Sequence, residues 1–244
     1  MKNIKLTLQY DGSKYYGWQR LNDLPSVQKE IEEAIARLTC EDIKIIGAGR
    51  TDKGVHARGQ VCNFLADTAI SANRFLTGIN HFTSDSVVVT EAEEVDLSFH
   101  ARFSAKRKTY KYILCNKRYM EPWFNDYKGH RKYFLDYDKL LACKDILVGT
   151  HDFSSFANDL EDDINPIRTI DRIDIERRDC DIIFTFTAES FLKNMVRIMV
   201  GSMVDVARGK RSLEWFEESL EKKNRQAAGK TIEPSGLYLW SIEY

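Results

Sequence analysis

The sequence predicts an α+β protein built from two ferredoxin-like units, each with the element order β-α-β-β-α-β. Three observations lead to this prediction. Alternating apolar and polar residues mark half-buried strands, apolar residues at helical spacing mark the segments between them, and the same order of elements occurs twice along the 244-residue chain. We therefore expect antiparallel sheets in both units and a cleft between the units, with domains at residues 1–104 and 105–244.

The first half carries signals for both strands and helices. Residues 3–10 alternate apolar with polar side chains, which is typical of a half-buried strand. Ser26 and Ser71 each stand where an N-cap is expected, immediately before apolar residues at helical spacing. In chain order, the predicted elements are a strand at 3–10, a helix at 27–38, strands at 43–46 and 60–66, a helix at 71–82 and a strand at 86–95.

The second half repeats this order with one added helix. Its predicted elements are a strand at 108–115, a helix at 138–148, strands at 167–177 and 181–187, helices at 190–208 and 212–223, and a strand at 237–243. The connection between the halves is predicted within residues 99–107, where one strand has ended and the next has not begun. This connection is not marked by a Pro-, Gly- or Ser-rich composition.

The composition limits the class of protein. With 43% hydrophobic and 30% charged residues, the chain has the composition of a globular protein that can bury a substantial core. No apolar stretch is long enough for a signal peptide or a membrane span. We therefore expect a cytoplasmic protein with no membrane partner.

The cysteines and histidines show no metal-ligand pattern. The five cysteines are odd in number, widely scattered and without a CxxC pair, which argues against a disulfide framework and against structural zinc. The five histidines lack ligand spacing, and neither an HExxH motif nor an Asp-rich calcium loop occurs in the sequence. We therefore expect no metal.

The charge distribution leaves nucleic-acid binding open. A net charge of −1 argues against a protein that coats nucleic acid through bulk charge. A local basic surface is sufficient for binding, and basic residues do cluster within 102–111 and 128–132. Taken alone, each cluster is typical of a solvated face.

The most distinctive stretch is GAGRTDKGVHARG, residues 47–59, which lies between two predicted strands. It contains one carboxylate, Asp52, among the cations Arg50, Lys53 and Arg58, and four glycines that allow tight turns. A phosphate-binding loop is disfavoured because the terminal GK[ST] is missing. From composition alone, an ordinary charged turn is the favoured interpretation.

Two further residues are candidates for chemistry. Arg197 interrupts a predicted helix that is apolar nearly all round, where an unpaired Arg would cost on the order of 3 to 5 kcal/mol. It falls on a polar stripe with Ser190, Asn194 and Gly201, and a core salt bridge explains it equally well. Tyr110 lies in the strand sequence KRKTYKYIL, and a Tyr in an apolar stripe is usually part of the core.

The run GRTDKGVHARGQV resembles the signature loop of the TruA family of tRNA pseudouridine synthases. The resemblance extends from YDGSKYYGWQR near the start, through KTYKY, to GLYL at the end of the chain. It implies isomerisation of uridine in the anticodon arm of tRNA, usually at positions 38, 39 and 40 in tRNA numbering. It also implies that the protein is a homodimer. No cofactor is implied, since breaking a glycosidic bond and forming a carbon–carbon bond involves no redox step.

The same resemblance implies roles for individual residues. The Asp of RTD is catalytic in the family, which implies that role for Asp52. A helical Arg in a similar FLxxMVR context pairs with this Asp, which implies that Arg197 is its partner. The first Tyr of a similar R-x-Y-x-Y run lies against the target uracil, and Tyr110 matches it, although Lys108 stands where the family usually has Arg.

Four more residues complete the predicted site. Leu237, in the GLYL sequence, is expected at the wall of the uracil pocket. Arg50, Lys53 and Arg58 are expected to contact the RNA backbone, with an affinity that falls as salt rises.

The residues are also consistent with three alternatives to this function. A tandem RNA-binding module without catalysis predicts that Asp52 is dispensable, and an enzyme acting on a small phosphorylated ligand predicts saturable nucleotide binding. The acidic segment 157–166 differs from the more basic form typical of the family, so a related synthase with another target position is a third alternative.

Overall fold

The computed structural model describes residues 1–21, 23–161 and 163–244, so Asp162 of the acidic segment lies outside the described residues. The described chain forms two compact units, with unit 1 comprising residues 1–106 and 238–244 and unit 2 comprising residues 107–237. The predicted α+β class is confirmed. The domain boundary at 104 and 105 stays a prediction, because compactness alone does not show which segments fold independently.

The helices and strands follow the predicted order closely. The strands are β1 (Lys2–Tyr10), β2 (Ile46–Gly47), β3 (His56–Ala66), β4 (Val87–Val95), β5 (Arg107–Cys115), β6 (Gly129–His130), β7 (Gly149–Asp152), β8 (Ile167–Arg178), β9 (Asp181–Ala188) and β10 (Leu237–Glu243). The helices are α1 (Val27–Thr39), α2 (Ala72–Phe82), α3 (Tyr137–Leu147), α4 (Met195–Ala207) and α5 (Leu213–Glu221). No helix in the described part of the chain is long and apolar enough to cross a membrane.

Unit 1 is built on a sheet in which β1 lies between β4 and β3, antiparallel to both. β2 pairs with the second half of β3, on the edge that β1 does not occupy. The strand order is therefore β4-β1-β3-β2, which is that of a ferredoxin-like unit. The terminal strand β10 pairs in parallel with the start of β3, placing Tyr238 opposite His56. This pairing brings the end of the chain beside the stretch that contains Asp52.

The helices of unit 1 begin where their caps predict. The Ser26 side chain accepts a hydrogen bond from the backbone N–H of Lys29, and the Ser71 side chain accepts one from Arg74. Both predicted N-caps are therefore confirmed. The core beneath the helices includes an edge-to-face contact between Phe64 of β3 and Phe75 of α2, with ring centroids 5.1 Å apart.

Unit 2 contains the antiparallel strand order β5-β9-β8-β7, with β6 parallel to the end of β5. Tyr112 of β5 lies opposite Phe184 of β9, and both side chains are fully buried. α4 is buried along most of its length, as its apolar sequence predicts. The two-residue β6 and the four-residue β7 are absent from the sequence prediction, because such short strands show no periodicity.

Three predicted boundaries are wrong. The strand predicted at 60–66 begins four residues earlier, since β3 starts at His56. α4 begins at Met195 instead of near Ser190, because Asn194 adopts a left-handed conformation with φ of 61° that cannot lie inside an α-helix. The polar stripe that joined Ser190 and Asn194 to Arg197 is therefore not a helix face. The strand predicted at 43–46 is observed only at Ile46–Gly47.

We expect Gly201→Ala to destabilise the protein by about 1 to 3 kcal/mol, because a Cβ at this position of α4 would collide with the backbone carbonyl oxygen of Lys230. Gly78→Ala is the matched control. There the new methyl meets the flexible Leu38 side chain, and a Gly-to-Ala change inside α2 also improves helix propensity. Urea denaturation measures both, and equal losses would contradict the prediction.

Candidate active site

Asp52 lies in a tight turn between β2 and β3, within residues 48–55, here called the Asp52 loop. The backbone carbonyl of Asp52 accepts a hydrogen bond from the N–H of Val55 at 3.1 Å, which closes the turn. Asp52 is partly exposed, whereas Thr51 and Val55 on either side are buried. The loop therefore has buried anchors and presents its carboxylate-bearing residue between them.

A buried hydrogen bond holds the residue before Asp52. The hydroxyl of Thr51 lies 2.8 Å from the hydroxyl of Tyr10 on β1, and both residues are buried. The carbonyl of Thr51 accepts a hydrogen bond from the backbone N–H of Trp18 at 3.1 Å. Gln60 of β3 donates to the carbonyl of Gly49 at 2.9 Å. The loop is thus fixed to β1, to β3 and to the segment that contains Trp18.

That segment is DGSKYYGWQR, residues 11–20, and its glycines pack directly against the Asp52 loop. A Cβ built on Gly12 would collide with the carbonyl oxygen of Val55. A Cβ on Gly17 would lie 2.6 Å from the carbonyl oxygen of Thr51, and Gly17 has a φ of +103° that side chains rarely adopt. The sequence alone assigns this segment no role. In the structure, this segment supports the Asp52 loop. The sequence feature that indicates this role is the presence of two glycines, Gly12 and Gly17.

His56 is a second buried anchor of the loop. Its Nδ1 accepts the backbone N–H of Gly12 at 3.0 Å and lies 3.3 Å from a carboxylate oxygen of Asp11. Its ring stacks on Tyr238 of β10, with ring centroids 4.7 Å apart. His56 therefore ties β3 both to residues 11–20 and to the terminal strand.

The three predicted RNA-contacting cations, Arg50, Lys53 and Arg58, are all exposed. The Lys53 ammonium lies 3.8 Å from the ring centroid of Tyr16, and the Arg58 guanidinium lies 5.4 Å from that of Trp240. Cation–π contacts of this kind orient a charged group while leaving it accessible. The exposed surface around the Asp52 loop is therefore basic, with two of its cations held over aromatic rings.

In unit 2, Tyr110 is partly exposed on β5, and its ring packs edge-on against Phe191 at a centroid distance of 5.1 Å. Tyr112, two residues further along the strand, is fully buried and donates its hydroxyl to the carbonyl of Glu233 at 3.0 Å. Burial raises the pKa of Tyr112 well above its ordinary value. Tyr112 therefore occupies the core position that is usual for a Tyr in an apolar strand, whereas Tyr110 is partly exposed.

Arg197 lies in the first turn of α4 and is partly exposed, although most of that helix is buried. Its Nε donates to the carbonyl of Ile232 at 2.8 Å, and its own carbonyl accepts the N–H of Ile232 at 3.3 Å. These two bonds fix the segment that leads to Leu237, which is 5% exposed at the start of β10. A buried Leu237 fits both a pocket wall and an ordinary core position.

Glu233 reinforces the same segment. Its carboxylate accepts a bidentate pair of hydrogen bonds from Arg131, at 2.7 and 3.0 Å, and one from the backbone N–H of His130. Burial alone would raise the pKa of Glu233, but the hydrogen bonds and charge of Arg131 lower it below the ordinary value. Unit 2 therefore holds residues 232–233 from two sides through two arginines.

The predicted site residues divide between the two units. Unit 1 contains the candidate carboxylate and the candidate RNA-contacting cations, and unit 2 contains the candidate base-contacting residues and the candidate guanidinium. The unit 1 residues are the carboxylate of Asp52 and the cations Arg50, Lys53 and Arg58. The unit 2 residues are Tyr110 and Leu237, expected to contact the base, and the guanidinium of Arg197. Their individual roles stay predictions.

We expect Tyr10→Phe to cost about 1 kcal/mol of stability and to loosen the Asp52 loop, because the buried Thr51 hydroxyl loses its partner. Amide hydrogen exchange should be faster at Val55, whose N–H closes the turn. Tyr137→Phe is the control, since it removes a hydroxyl bonded to the carbonyl of Ile175 in unit 2. Unchanged Val55 exchange in Tyr10→Phe would count against the anchoring role.

A pH dependence follows from Glu233. Its pKa is lowered in the folded state, so its contribution to stability is present above the unfolded value of 4.5 and is lost as pH falls through the folded value. Glu233→Gln should lower the free energy of unfolding at pH 7 by on the order of 1 kcal/mol. The difference from the native chain should shrink as the pH falls below 4.5.

Urea denaturation between pH 3 and pH 7 measures this difference. Glu218→Gln is the control, because the ion pair of Glu218 with Lys222 has both side chains more than half exposed, at 58% and 55%. A Glu233→Gln difference that stays constant over the whole pH range would contradict the assignment.

A family model and three relatives that match this chain agree in their description. A family model described as tRNA pseudouridine synthase matches residues 7–104 and 143–244. The chain is 73% identical over 244 residues to tRNA pseudouridine synthase A of Finegoldia magna. It is 38% identical to the protein of that name from Acetivibrio thermocellus and 40% identical to that from a Thermoanaerobacter species. Each of the three alignments covers 100% of this chain and 100% of the relative.

Proposed function

Because this chain belongs to the tRNA pseudouridine synthase family, we propose that it acts on uridines in the anticodon stem-loop of tRNA, at positions 38, 39 and 40. The chain is an isomerase that forms pseudouridine. The single observation that carries the assignment of its site is the sequence RTD, whose Asp52 occupies a turn with buried anchors on both sides. The target positions rest on the resemblance of the motifs described above.

The reaction defines what the site must supply. The bond between N1 of uracil and C1′ of the ribose breaks, the uracil turns while it is held, and its C5 bonds to C1′. C5 then loses its proton and the freed N1 takes up a proton, so the product has the same atomic composition as the substrate. No electrons are gained or lost overall, and the proposed mechanism therefore uses no cofactor.

We assign Asp52 the central role in this sequence. A carboxylate can attack the sugar carbon as a nucleophile, or it can remove a proton from the neighbouring C2′. Either route requires the ionised form, because only the carboxylate carries the reacting lone pair. The partly exposed position of Asp52 in the anchored turn supports this role, since a reacting group must reach the substrate from a fixed geometry.

Arg197 and Tyr110 are assigned to the same reaction. By the family resemblance, Arg197 is assigned as the positioning partner of the Asp52 carboxylate. Tyr110 packs against the uracil ring, and Leu237 forms a wall of the pocket. The sequence contexts FLKNMVR, KTYKY and GLYL support these roles, as do the partial exposure of Tyr110 and Arg197.

The substrate must change conformation to react. A uridine in a stem is stacked, so the target nucleotide has to be flipped out before its sugar reaches a carboxylate. Arg50, Lys53 and Arg58 hold the phosphates around the flipped nucleotide, and their exposure supports this role. Binding should therefore weaken as the salt concentration rises.

We also propose that the enzyme acts as a homodimer in the cytoplasm. The family resemblance supports the dimer, and the tRNA substrate supports the location. Size-exclusion chromatography with light scattering tests the dimer directly, since a mass of 28.3 kDa is expected for one chain and twice that for a pair.

The test of the catalytic role is tritium release from tRNA that carries C5-labelled uridine. C5 loses its label when it bonds to the sugar carbon, so release reports the isomerisation itself. Asp52→Asn should bind tRNA with near-native affinity and release no label, because the amide cannot act as a nucleophile or base. Asp67→Asn is the control, since Asp67 has an 86% exposed side chain in the same unit.

Two outcomes would favour the alternatives. If the native chain binds tRNA without releasing label, it is a binding module or acts on another RNA. If it binds a nucleotide saturably and tRNA weakly, an enzyme for a small phosphorylated ligand is favoured. Replacing the uridines at positions 38, 39 and 40 one at a time with cytidine tests the target positions separately from the catalytic role.

A further inference from the structure

Three potential metal ligands meet at one end of the unit 2 sheet, outside the residues assigned to catalysis. Cys115 ends β5 and lies opposite Asp181, the first residue of β9, in the strand register. Cys180 precedes Asp181 in the turn between β8 and β9. The two sulfur atoms and one carboxylate oxygen all lie within 4.8 Å of one another. The sequence gives no sign of this cluster, because Cys115 and Cys180 are far apart in the chain.

The backbone holds the three residues in place. The strand pairing fixes Cys115 against Asp181, and the N–H of Asn116 donates to the carbonyl of Cys180 at 2.6 Å. The ligands therefore belong to rigid elements and not to a long loop. A site whose ligands are already close together loses little conformational entropy when it binds an ion.

The donor set favours a particular class of ion. Two thiolates and one carboxylate are ligands that Zn²⁺ uses, and three protein ligands leave a fourth tetrahedral position for water. With bonds of about 2.0 to 2.3 Å, ligand atoms on a tetrahedral zinc lie roughly 3.3 to 3.8 Å apart. Small rotations of the side chains bring atoms that lie within 4.8 Å to this separation.

The surroundings orient the carboxylate. Lys128 binds Oδ2 of Asp181 at 2.5 Å, whereas Oδ1 lies 3.9 Å from the sulfur of Cys180. One oxygen is therefore held by a cation and the other faces the thiols, an arrangement typical of an oriented metal ligand. An ion that binds there has to displace the thiol protons.

We propose that Cys115, Cys180 and Asp181 form a binding site for a thiophilic divalent cation, of which Zn²⁺ is the physiological example. The ion joins the end of β5 to the turn between β8 and β9. The proposal is independent of the isomerase assignment, because none of the three residues is placed in the catalytic machinery.

The test is a titration of the full-length reduced chain with Cd²⁺, which reports thiolate ligation through sulfur-to-metal charge-transfer absorption in the ultraviolet. The native chain should bind one equivalent, and Zn²⁺ should displace the Cd²⁺. Cys180→Ser should weaken binding by roughly tenfold or more and reduce the band. Cys40→Ser is the control, because Cys40 is an exposed cysteine in unit 1, and it should bind as the native chain does.

Two further measurements make the test decisive. Asp181→Asn should keep the thiolate band but bind the ion more weakly, and circular dichroism verifies that each variant is folded. Zn²⁺ should raise the melting temperature of the native chain and leave that of folded Cys180→Ser nearly unchanged, as mass action requires. If no band appears, or if it survives in Cys180→Ser at native affinity, the site does not exist.

Discussion

The buried hydrogen bond between the hydroxyls of Thr51 and Tyr10 is the interaction on which the site in unit 1 depends. At 2.8 Å and out of contact with water, it ties the residue before Asp52 to β1. A buried hydroxyl that loses its partner costs about 1 to 3 kcal/mol, so the loop has one strongly preferred position. The glycines of residues 11–20 close around the same turn, because any side chain on Gly12 or Gly17 would meet its backbone. Asp52 thus lies in a turn whose backbone is fixed on both sides.

In unit 2, a buried helix and two arginines position the candidate residues. A long apolar helix, α4, supplies a stable core, and Arg197 extends from its first turn to fix the carbonyl of Ile232. Arg131 fixes the next residue, Glu233, through a bidentate pair. Both arginines therefore act on the short segment before β10, which positions Leu237. The cation proposed at Cys115, Cys180 and Asp181 would join the end of β5 to the turn between β8 and β9 in the same unit.

The sequence predicted most of what depends on local patterns. The helix starts at Ser26 and Ser71 followed from side chains that cap the next turn, and the strands followed from alternation. Asn194 was missed because its left-handed conformation is stabilised by a distant partner, the amide of Asn158. The anchoring of the Asp52 loop and the cluster around Cys115 were missed for the same reason, since both depend on contacts between residues far apart in the chain. The identity of Asp52 as the candidate came from resemblance, because composition alone favoured a charged turn.

The central claim is that the anchored turn, and not only the carboxylate, sets the rate of isomerisation. The most direct measurement is the single-turnover rate of pseudouridine formation at saturating tRNA for Thr51→Val, with Thr150→Val as a control. Thr150 makes a comparable hydroxyl contact of 2.7 Å with Thr169, but on an exposed part of unit 2. The account predicts that Thr51→Val slows the reaction by at least about tenfold while tRNA affinity stays near native, because the reacting group is misplaced. A native rate in folded Thr51→Val would contradict it.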